Sequence, residues 1–369
     1  MVMIKNKKRV LVALSGGVDS STAAYLLSLK EYDLIGVHMK FWSDISSSES
    51  NAHLVKEDNK CCSIESSEDA RNICEKLNIP FYVLNFRDEF KDNIVDYFVL
   101  SLKKGITPNP CVMCNKNIKF GILFNKMKEL NADYIATGHY VNVVSHNGNY
   151  LLKKSKDLYH DQSYFLCNID KKVLPHLIFP LGDIENKNKV REIARENGLL
   201  RVSSKKDSQE ICFISNNNTR GFIKKNVLNN TVDEGDVIDT TGKVIGRHQG
   251  LSLYTIGQRR GFSINIPEPK YVLSKNFKDN TLTVGSLDEC KVYRFRLNEM
   301  NYLSDKIIRT MDLKIQIRYK GSMLGIKDIF YGDNYIDVTL LNGEVGVAPG
   351  QFGVLYNKDY IIGGGIINY

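Results

Sequence analysis

The sequence lacks any apolar run long enough to cross a membrane, because no stretch approaches the roughly 18 consecutive apolar residues of a membrane span. Its first residues, MVMIKNKKRV, also lack the apolar core of a signal peptide. Both absences predict a cytoplasmic protein. Internal repeats are absent as well, so a solenoid or propeller is not indicated.

A second cysteine pair of metal-binding spacing is also missing. The eight cysteines are Cys61, Cys62, Cys74, Cys111, Cys114, Cys167, Cys212 and Cys290. In a reducing cytosol they do not predict a disulfide framework, so any special ones are expected to be catalytic or metal-bound. The CxxC pair Cys111 and Cys114 resembles half of a zinc site, but no second CxxC or HxxxH pair follows it.

The composition describes a globular protein of more than one domain. Single cores rarely grow past roughly 250 residues, and the chain has 369. Hydrophobic residues make up 43% and charged residues 25%, which argues against disorder. The net charge of +8 suits a polyanionic partner, although lysine-rich codon usage of the source organism would produce the same value.

Strand and helix patterns alternate through the first half of the chain. Apolar strand patterns at 8–14, 33–39 and 79–86 are separated by helical patterns at 19–30 and 66–78. This rhythm predicts an α/β fold with a doubly wound parallel sheet. Residues 43–60 are expected to form a long mobile loop, and Asn147-Gly148 indicates a hairpin. Short β segments after about residue 215 predict one or two small β domains.

The loop SGGVDSS, residues 15–21, follows the first strand and opens the first helix. Free backbone N–H groups and the positive helix end meet there, which predicts a phosphate cradle. Gly16 and Gly17 allow close approach of a ligand, and the serines add hydroxyl donors. Asp19 is a candidate for positioning a magnesium ion; the alternative is a simple glycine turn capped by Asp19.

The loop contains no lysine, which excludes a Walker loop of the form GxxxxGK[ST]. It resembles instead the loop of the ATP pyrophosphatases. Those enzymes hold the β- and γ-phosphates as a leaving pyrophosphate while a substrate oxygen is adenylated. The resemblance therefore implies an activation step at the α-phosphate of ATP.

The segment TPNPCVMCNKNIKF, residues 107–120, carries the CxxC pair. Its prolines disfavour a helix before the cysteines, and Asn115 is expected to cap the following helix, which would place Cys114 at a helix N-terminus. That position, with Lys116 or Lys119 nearby, would lower the pKa of the thiol.

The segment KKDSQEICFI, residues 205–214, places Cys212 after two lysines, in a setting suited to a reactive thiolate. A core strand with a buried cysteine is the alternative.

Two further segments combine basic and aromatic residues. Residues 246–262 contain Arg247, His248, Tyr254, Arg259 and Arg260, and IRYK at 317–320 has the same character. Beside an ATP loop they favour contact with RNA, whereas each alone is equally well explained by solvated charge on a small β domain.

These stretches, in this order, resemble the tRNA-specific 2-thiouridylase family, which replaces the 2-oxygen of the wobble uridine (position 34) by sulfur. The match covers nearly the whole chain. It includes SGGVDSS, GVHMK, CCS, DAR, PNPCVMCN, IKF, YIATGHY, DQSYFL, KKDSQEICFI, HQGLSLYTIGQRRG, RYK, APGQ and GGGII.

The resemblance implies an ATP pyrophosphatase domain of the adenine nucleotide alpha hydrolase-like (PP-loop) type at 1–215. A small central domain would span 216–286 and a C-terminal β-barrel 287–369, both contacting tRNA. It implies ATP and Mg²⁺ as cofactors, tRNAs of the Lys, Glu and Gln type as substrates, and a sulfur-carrier protein or cysteine desulfurase upstream. The implied ATP contacts are Ala13, Leu14, Ser15, Gly16, Gly17, Val18, Asp19, Ser20, Met39 and Gly138. The implied tRNA contacts are Asn109, Pro110, Cys111, His139, His160, Asp161, Gln162, Arg318, Tyr319 and Gln351.

Cys114 matches the catalytic nucleophile of the family and Cys212 the cysteine that carries a persulfide. The two would form a disulfide late in the cycle, so we expect a mobile segment to carry Cys212. Cys111 stands where some members have an acid–base residue. Alternatively, Cys111, Cys114 and Cys212 would ligate a [4Fe–4S] cluster. His160 occupies a position where lysine is common.

Overall fold

The computed structural model describes residues 7–42, 64–146, 148–205, 211–214, 218–230, 233–264, 266–304 and 312–369. The expected loop at 43–60, together with Cys61 and Cys62, lies outside these ranges.

The first half of the chain forms a parallel sheet with helices, which confirms the predicted fold class. Its strands are β1 (Lys8–Ala13), β2 (Tyr32–Lys40), β3 (Phe81–Asn85), β4 (Tyr134–Ala136) and β7 (Leu177–Ile178). They lie in the order β3-β2-β1-β4-β7, all parallel, with β1 in the centre. Val10, Leu11 and Val12 of β1 are fully buried because helices cover both faces of a doubly wound sheet.

Helices follow the strands at about the predicted positions. They are α1 (Val18–Ser28), α2 (Ile64–Lys76), α3 (Arg87–Phe90), α4 (Asp96–Lys103), α5 (Pro110–Cys114), α6 (Leu123–Glu129), α7 (Lys187–Glu196), α8 (Leu200–Ser203) and α9 (Thr219–Asn226). π-helical segments at Lys91–Val95 and Asn115–Ile122 join α3 to α4 and α5 to α6. Short 3₁₀ segments lie at Ser163–Leu166, Lys171–His176 and Leu251–Leu253.

The later part of the chain is built from strands, as predicted. The central sheet has the order β10-β9-β8-β12-β11. Its strands are β8 (Gly235–Ile238), β9 (Val244–His248), β10 (Ser263–Ile264), β11 (Tyr271–Asn276) and β12 (Thr281–Gly285).

The last six strands form an antiparallel barrel, closed by pairing of the first with the last. They are β13 (Lys291–Tyr302), β14 (Leu313–Gln316), β15 (Leu324–Tyr331), β16 (Tyr335–Val345), β17 (Phe352–Asn357) and β18 (Tyr360–Asn368). The predicted hairpin is confirmed by β5 (Val141–His146) and β6 (Asn149–Lys154), which pair with His146 opposite Asn149. This hairpin extends the barrel sheet through β18, where Lys153 pairs with Tyr360.

One hydrophobic cluster joins the parallel-sheet region to the barrel. Val112, Cys114 and Ile118 belong to it, and so do Phe352 and Tyr356 of β17. The barrel therefore packs directly against the helix that carries the CxxC pair, and it holds the candidate site from one side.

Candidate active site

The glycine loop is shaped by a close approach to α2. Gly16 has φ of +72°, and a Cβ there would lie 2.2 Å from the backbone oxygen of Ser66. Gly17 is the N-cap of α1 in extended conformation. Ser20 Oγ accepts from the Ser15 backbone N–H at 3.1 Å and lies 3.2 Å from Ser15 Oγ. Glycine is thus required at 16 by the protein itself, and the loop is ordered by its own hydroxyls.

Asp19 is held from two sides by residues distant in sequence. The Tyr140 hydroxyl donates to Asp19 Oδ1 at 2.7 Å, and Lys187 Nζ donates to Asp19 Oδ2 at 2.6 Å. The backbone at Gly138 lies against the loop, since a Cβ there would be 2.7 Å from Ser20 N. The YIATGHY segment and the loop therefore form one wall.

The other implied ATP residues are buried strand ends and the first helical residue. Ala13 ends β1 and Leu14 follows it, Met39 lies near the end of β2, and Val18 begins α1. His38 Nδ1 donates to the Leu14 carbonyl at 2.8 Å, and burial lowers the pKa of this histidine. Neutral His38 thus supports the chain just before the loop.

A second lysine reaches the loop from the segment before Cys212. Lys205 Nζ lies 3.5 Å from the Gly16 carbonyl and forms an ion pair with Asp69. The Asp69 side chain is 1% exposed and also pairs with Arg201 at 2.7 Å. The sequence did not indicate Lys187. The absence of lysine from the loop suggests that a cation comes from elsewhere in the chain, but it does not identify which residue supplies it.

Cys114 does not lie at a helix N-terminus, so that expectation was wrong. Asn109 is the N-cap: its side chain accepts from Val112 N at 3.2 Å, and Pro110 occupies the first turn, where its missing N–H costs nothing. Asn115 is inside the helix with φ of −62°. Cys111 is therefore the thiol in the first helical turn, and Cys114 is buried one turn further on.

The lysines near Cys114 have other partners. Lys119 Nζ lies 3.5 Å from His139 Nε2, and Lys116 Nζ lies 3.5 Å from Asn168 Oδ1. His139 Nδ1 lies 2.7 Å from Thr137 Oγ1. Burial, with the charge of Lys119, holds the pKa of His139 well below its usual value, so this histidine is neutral at physiological pH.

Cys212 is half-buried in the short piece 211–214, which is a turn rather than the alternative core strand. The following residue, Phe213, packs edge-on against Phe90 and Phe98 at ring distances of 5.8 and 5.6 Å. Cys212 and Cys114 contact the same hydrophobic cluster. The expected mobility of this segment concerns its flanking residues, 206–210 and 215–217, which lie outside the described ranges.

Gln351 of the barrel fixes the segment before the CxxC pair. Its Nε2 donates to the carbonyls of Thr107 and Pro108 at 3.3 and 3.2 Å, and its Oε1 accepts from Asn109 Nδ2 at 3.3 Å. The structure thus brings together Asn109, Pro110, Cys111 and Gln351, four residues that the resemblance assigned to tRNA contact.

The His160–Gln162 segment contacts the YIATGHY segment and its own neighbours in sequence. Gln162 Oε1 accepts from Tyr140 N at 3.1 Å, which ties it to the partner of Asp19. His160 Nδ1 donates to Asp157 Oδ2 at 2.7 Å. Asp161 is largely buried and accepts from Ser155 N at 2.9 Å; burial raises the pKa of its carboxyl.

The ring of Tyr319 packs against that of Phe165 in a tilted arrangement, with the ring centres 4.4 Å apart. Burial, with smaller effects of Asp161, Asp157 and Cys111, raises the pKa of Tyr319 to about 12. Arg318 donates to Glu344 at 3.0 Å and to the Val345 carbonyl at 2.8 Å. Tyr319 therefore faces the CxxC end, whereas Arg318 is engaged with the barrel.

The basic segment at 246–262 is less exposed than its sequence suggests. His248 and Tyr254 are buried in the core of the central sheet, and Arg247 pairs with Asp236 at 2.6 Å. The three arginines of this segment, Arg247, Arg259 and Arg260, are exposed.

The described thiols do not form a metal site in this conformation. Within the described ranges, no group of three or more His, Cys, Asp or Glu residues is arranged to hold a metal ion. Asp19 is the carboxylate of the loop, and both its oxygens already have protein partners, Tyr140 and Lys187.

In the parts of the chain that the structure describes, no helix is long and apolar enough to cross a membrane.

The parallel sheet, the lysine-free glycine loop and the thiols on one helix and one turn define a PP-loop protein with two appended β regions. Comparison with family models agrees. Residues 8–216 match the tRNA methyl transferase HUP domain, 220–286 the tRNA methyl transferase PRC-barrel domain, and 292–367 the aminomethyltransferase beta-barrel domain.

Curated relatives match over the full length. The tRNA-specific 2-thiouridylase MnmA of Clostridioides difficile (strain 630) is 40% identical, with 99% of each chain covered. The tRNA-specific 2-thiouridylase MnmA 1 of Clostridium botulinum (strain Loch Maree / Type A3) is 42% identical over 98% of this chain and 99% of its own. This chain belongs to the tRNA-specific 2-thiouridylase family.

A solved 4-thiouridine synthetase–RNA complex with bound ATP is 16% identical, with a TM-score of 0.34, and the match covers 60% of this chain and 51% of that one. A likeness of that size carries no functional argument.

Proposed function

We propose that the protein converts the wobble uridine of tRNA to 2-thiouridine, as a tRNA-uridine 2-sulfurtransferase that uses ATP. The observation that carries this proposal is the placement of Cys114 and Cys212 on one hydrophobic cluster, in the same domain as a phosphate loop without a lysine. The full-length match to named 2-thiouridylases supports it. The family-model descriptions mention methyl transfer, but a pair of thiols suits sulfur transfer.

Activation comes first. The O2 atom of the uridine attacks the α-phosphorus of ATP, which enters as its magnesium complex, and pyrophosphate leaves. A carbonyl oxygen is a poor leaving group, and adenylation turns it into AMP. The loop 15–21 and the first N–H groups of α1 stabilise the charge that builds up on the departing pyrophosphate.

Sulfur transfer follows. The terminal sulfur of a Cys212 persulfide attacks C2 of the base and AMP leaves, so that base and Cys212 are joined through two sulfur atoms. The Cys114 thiolate then attacks the Cys212 sulfur, which forms a disulfide and releases the sulfur on C2 as 2-thiouridine. A reductant must restore the thiols, and an upstream sulfur carrier or cysteine desulfurase must renew the persulfide.

The tRNA contacts are proposed for the segments already joined in the structure. Asn109, Pro110 and Cys111, fixed by Gln351, would meet the target base, with Tyr319 beside them. We place the reaction in the cytoplasm, on tRNAs of the Lys, Glu and Gln type.

The test is a reconstitution with purified protein, an unmodified tRNA of this type, ATP and a persulfide donor. We expect tRNA-dependent AMP formation and a gain of one sulfur in the nucleoside, measured by mass spectrometry. AMP formation without any thiolated nucleoside would contradict the proposal. A methylated nucleoside formed from a methyl donor would support the alternative suggested by the family-model names.

A further inference from the structure

The phosphate loop has no cationic side chain of its own to balance the negative charge of a bound triphosphate. A triphosphate is strongly anionic, yet the loop offers backbone N–H groups, hydroxyls and one carboxylate, Asp19, which repels phosphate. Helix N-termini contribute only about half a positive charge. Magnesium bound to the nucleotide neutralises only part of the triphosphate charge, so we expect further cations from other parts of the chain at this loop.

Lys187 supplies the first of these cations. It is the first residue of α7, and its side chain is 10% exposed. Its ammonium lies 2.6 Å from Asp19 Oδ2 and 5.4 Å from the centre of the Tyr140 ring. Burial of a lysine is costly unless the charge is paired. The cation is thus held at the first turn of α1, directly beside the phosphate loop.

Lys205 supplies the second cation from the opposite side. Its ammonium lies 3.5 Å from the Gly16 carbonyl, and it shares the buried carboxylate of Asp69 with Arg201. The exposed Glu65 lies 3.7 Å from Lys205 and 3.4 Å from Arg201. Asp69, buried at 1% exposure, fixes Lys205 against the loop, whereas Glu65 faces solvent.

We propose that Lys187 and Lys205 together bind the β- and γ-phosphates of ATP and the pyrophosphate product, and that Asp69 is the positioning residue for Lys205. This rests on the proposed function in that ATP is the substrate. The two lysines replace the single lysine of a Walker loop. Asp19 and Asp69 hold them in place before the nucleotide arrives, and the phosphate oxygens then become their partners.

The experiment measures binding of ATP, inorganic pyrophosphate and AMP to the full-length protein by calorimetry, with magnesium present. We expect Lys187→Met and Lys205→Met each to weaken ATP and pyrophosphate binding by about 10- to 100-fold, the loss expected for one charge-assisted contact. AMP binding should not change, since AMP lacks both phosphates.

The matched control is Lys189→Met, on the same helix α7, where the lysine is half-exposed and pairs with Glu192 at 2.9 Å. It should bind all three ligands as the unmodified protein does. Unchanged pyrophosphate binding in both lysine variants would overturn the proposal, and so would an equal loss of AMP binding.

The role of Asp69 is tested by a double-mutant cycle. Asp69→Asn should weaken pyrophosphate binding, and it should add no further loss in a Lys205→Met background, because its effect passes through that lysine. A merely structural role would give losses that add. Thiolation by the unmodified protein is measured separately. If the unmodified protein thiolates tRNA and the lysine variants bind pyrophosphate normally, only this inference is refuted. If the lysine variants lose pyrophosphate binding but the unmodified protein does not thiolate tRNA, only the proposed function is refuted.

Discussion

The phosphate end and the thiol end of the site are built differently. At the phosphate end, polar contacts join residues far apart in sequence, such as Asp19 with Lys187 and Asp69 with Lys205. At the thiol end, Cys114 is 7% exposed inside an apolar cluster, and Cys212 lies in a turn next to buried Phe213. The phosphate end is thus organised before substrate binds, whereas Cys114 must become accessible during the reaction.

The sharpest test of this division is to remove the thiols. Cys212→Ser should reduce formation of 2-thiouridine by at least about 1000-fold, as expected for loss of a covalent nucleophile, while the tRNA-dependent release of pyrophosphate in the adenylation step still occurs. Cys114→Ser should instead accumulate tRNA joined to Cys212 through two sulfur atoms, detectable on a non-reducing gel. A pyrophosphate assay measures the adenylation step, and mass spectrometry of nucleosides measures the sulfur transfer.

Cys290→Ser is the matched control, because this cysteine is buried beside the Val272 carbonyl in the central sheet and far in the chain from both ends of the site. Full thiolation by Cys212→Ser would refute the assigned role. Loss of pyrophosphate release in the same variant would show that the two ends are not separable.

Alanine substitutions at Gly16 and Gly17 distinguish a glycine that protein packing requires from one that the approach of a ligand requires. In Gly16→Ala the new Cβ meets the Ser66 backbone in a left-handed conformation, which alone costs about 1–2 kcal/mol. We expect a lower melting temperature and loss of ATP binding. In Gly17→Ala the Cβ has no protein atom closer than Ser15 Oγ at 3.5 Å, so stability should hold while ATP binding falls. Equal melting temperatures for the two variants would contradict this assignment.

Much of the fold was predictable from the sequence because its signals are local. The apolar run of β1, the glycine loop after it and the hairpin around Gly148 each depend on neighbouring residues. The wrong prediction at Cys114 also has a local cause. Prolines disfavour a helix before them, but proline is favoured in the first turn, so the helix begins at Pro110, before both cysteines.

The contacts of the site were not predictable, because they join residues far apart in the chain. Nothing near Lys187 indicates that it meets Asp19, and Gln351 meets Asn109 only because the barrel packs on the helix with the CxxC pair. The buried His248 and Tyr254 show the converse, since a basic and aromatic pattern does not reveal which side chains a small sheet takes into its core.

Substitution of Gln351 tests whether the barrel helps to position the residues at the thiol end. Gln351→Ala removes three hydrogen bonds to residues 107–109. We expect thiolation to slow by about 10-fold, which corresponds to the net free energy of roughly one hydrogen bond. ATP binding should be unaffected. Gln316→Ala, whose amide donates to Gly321 within the barrel, is the control. Equal thiolation rates for both variants would show that the hydrogen bonds from Gln351 to residues 107–109 do not contribute to the reaction.

The smallest expected effect is on stability below neutral pH. His38 and His139 lie at the phosphate and thiol ends, and burial lowers the pKa of both. The unfolded chain takes up protons near pH 6.5 while the folded protein does not, so the free energy of unfolding should fall as pH drops from 7 to 5.5, by up to about 1.4 kcal/mol per pH unit for each histidine. Asp161, whose pKa is raised, acts in the opposite direction at lower pH.

Trp42 is the single tryptophan and packs against the shared hydrophobic cluster, so its fluorescence follows unfolding of the region that contains both histidines. Urea titrations at pH 7 and 5.5 should show a lower midpoint at pH 5.5, and His139→Gln should reduce that difference. If the variant keeps the full difference, His139 is protonated equally in both states, and the thiol end is more open to water than its burial implies.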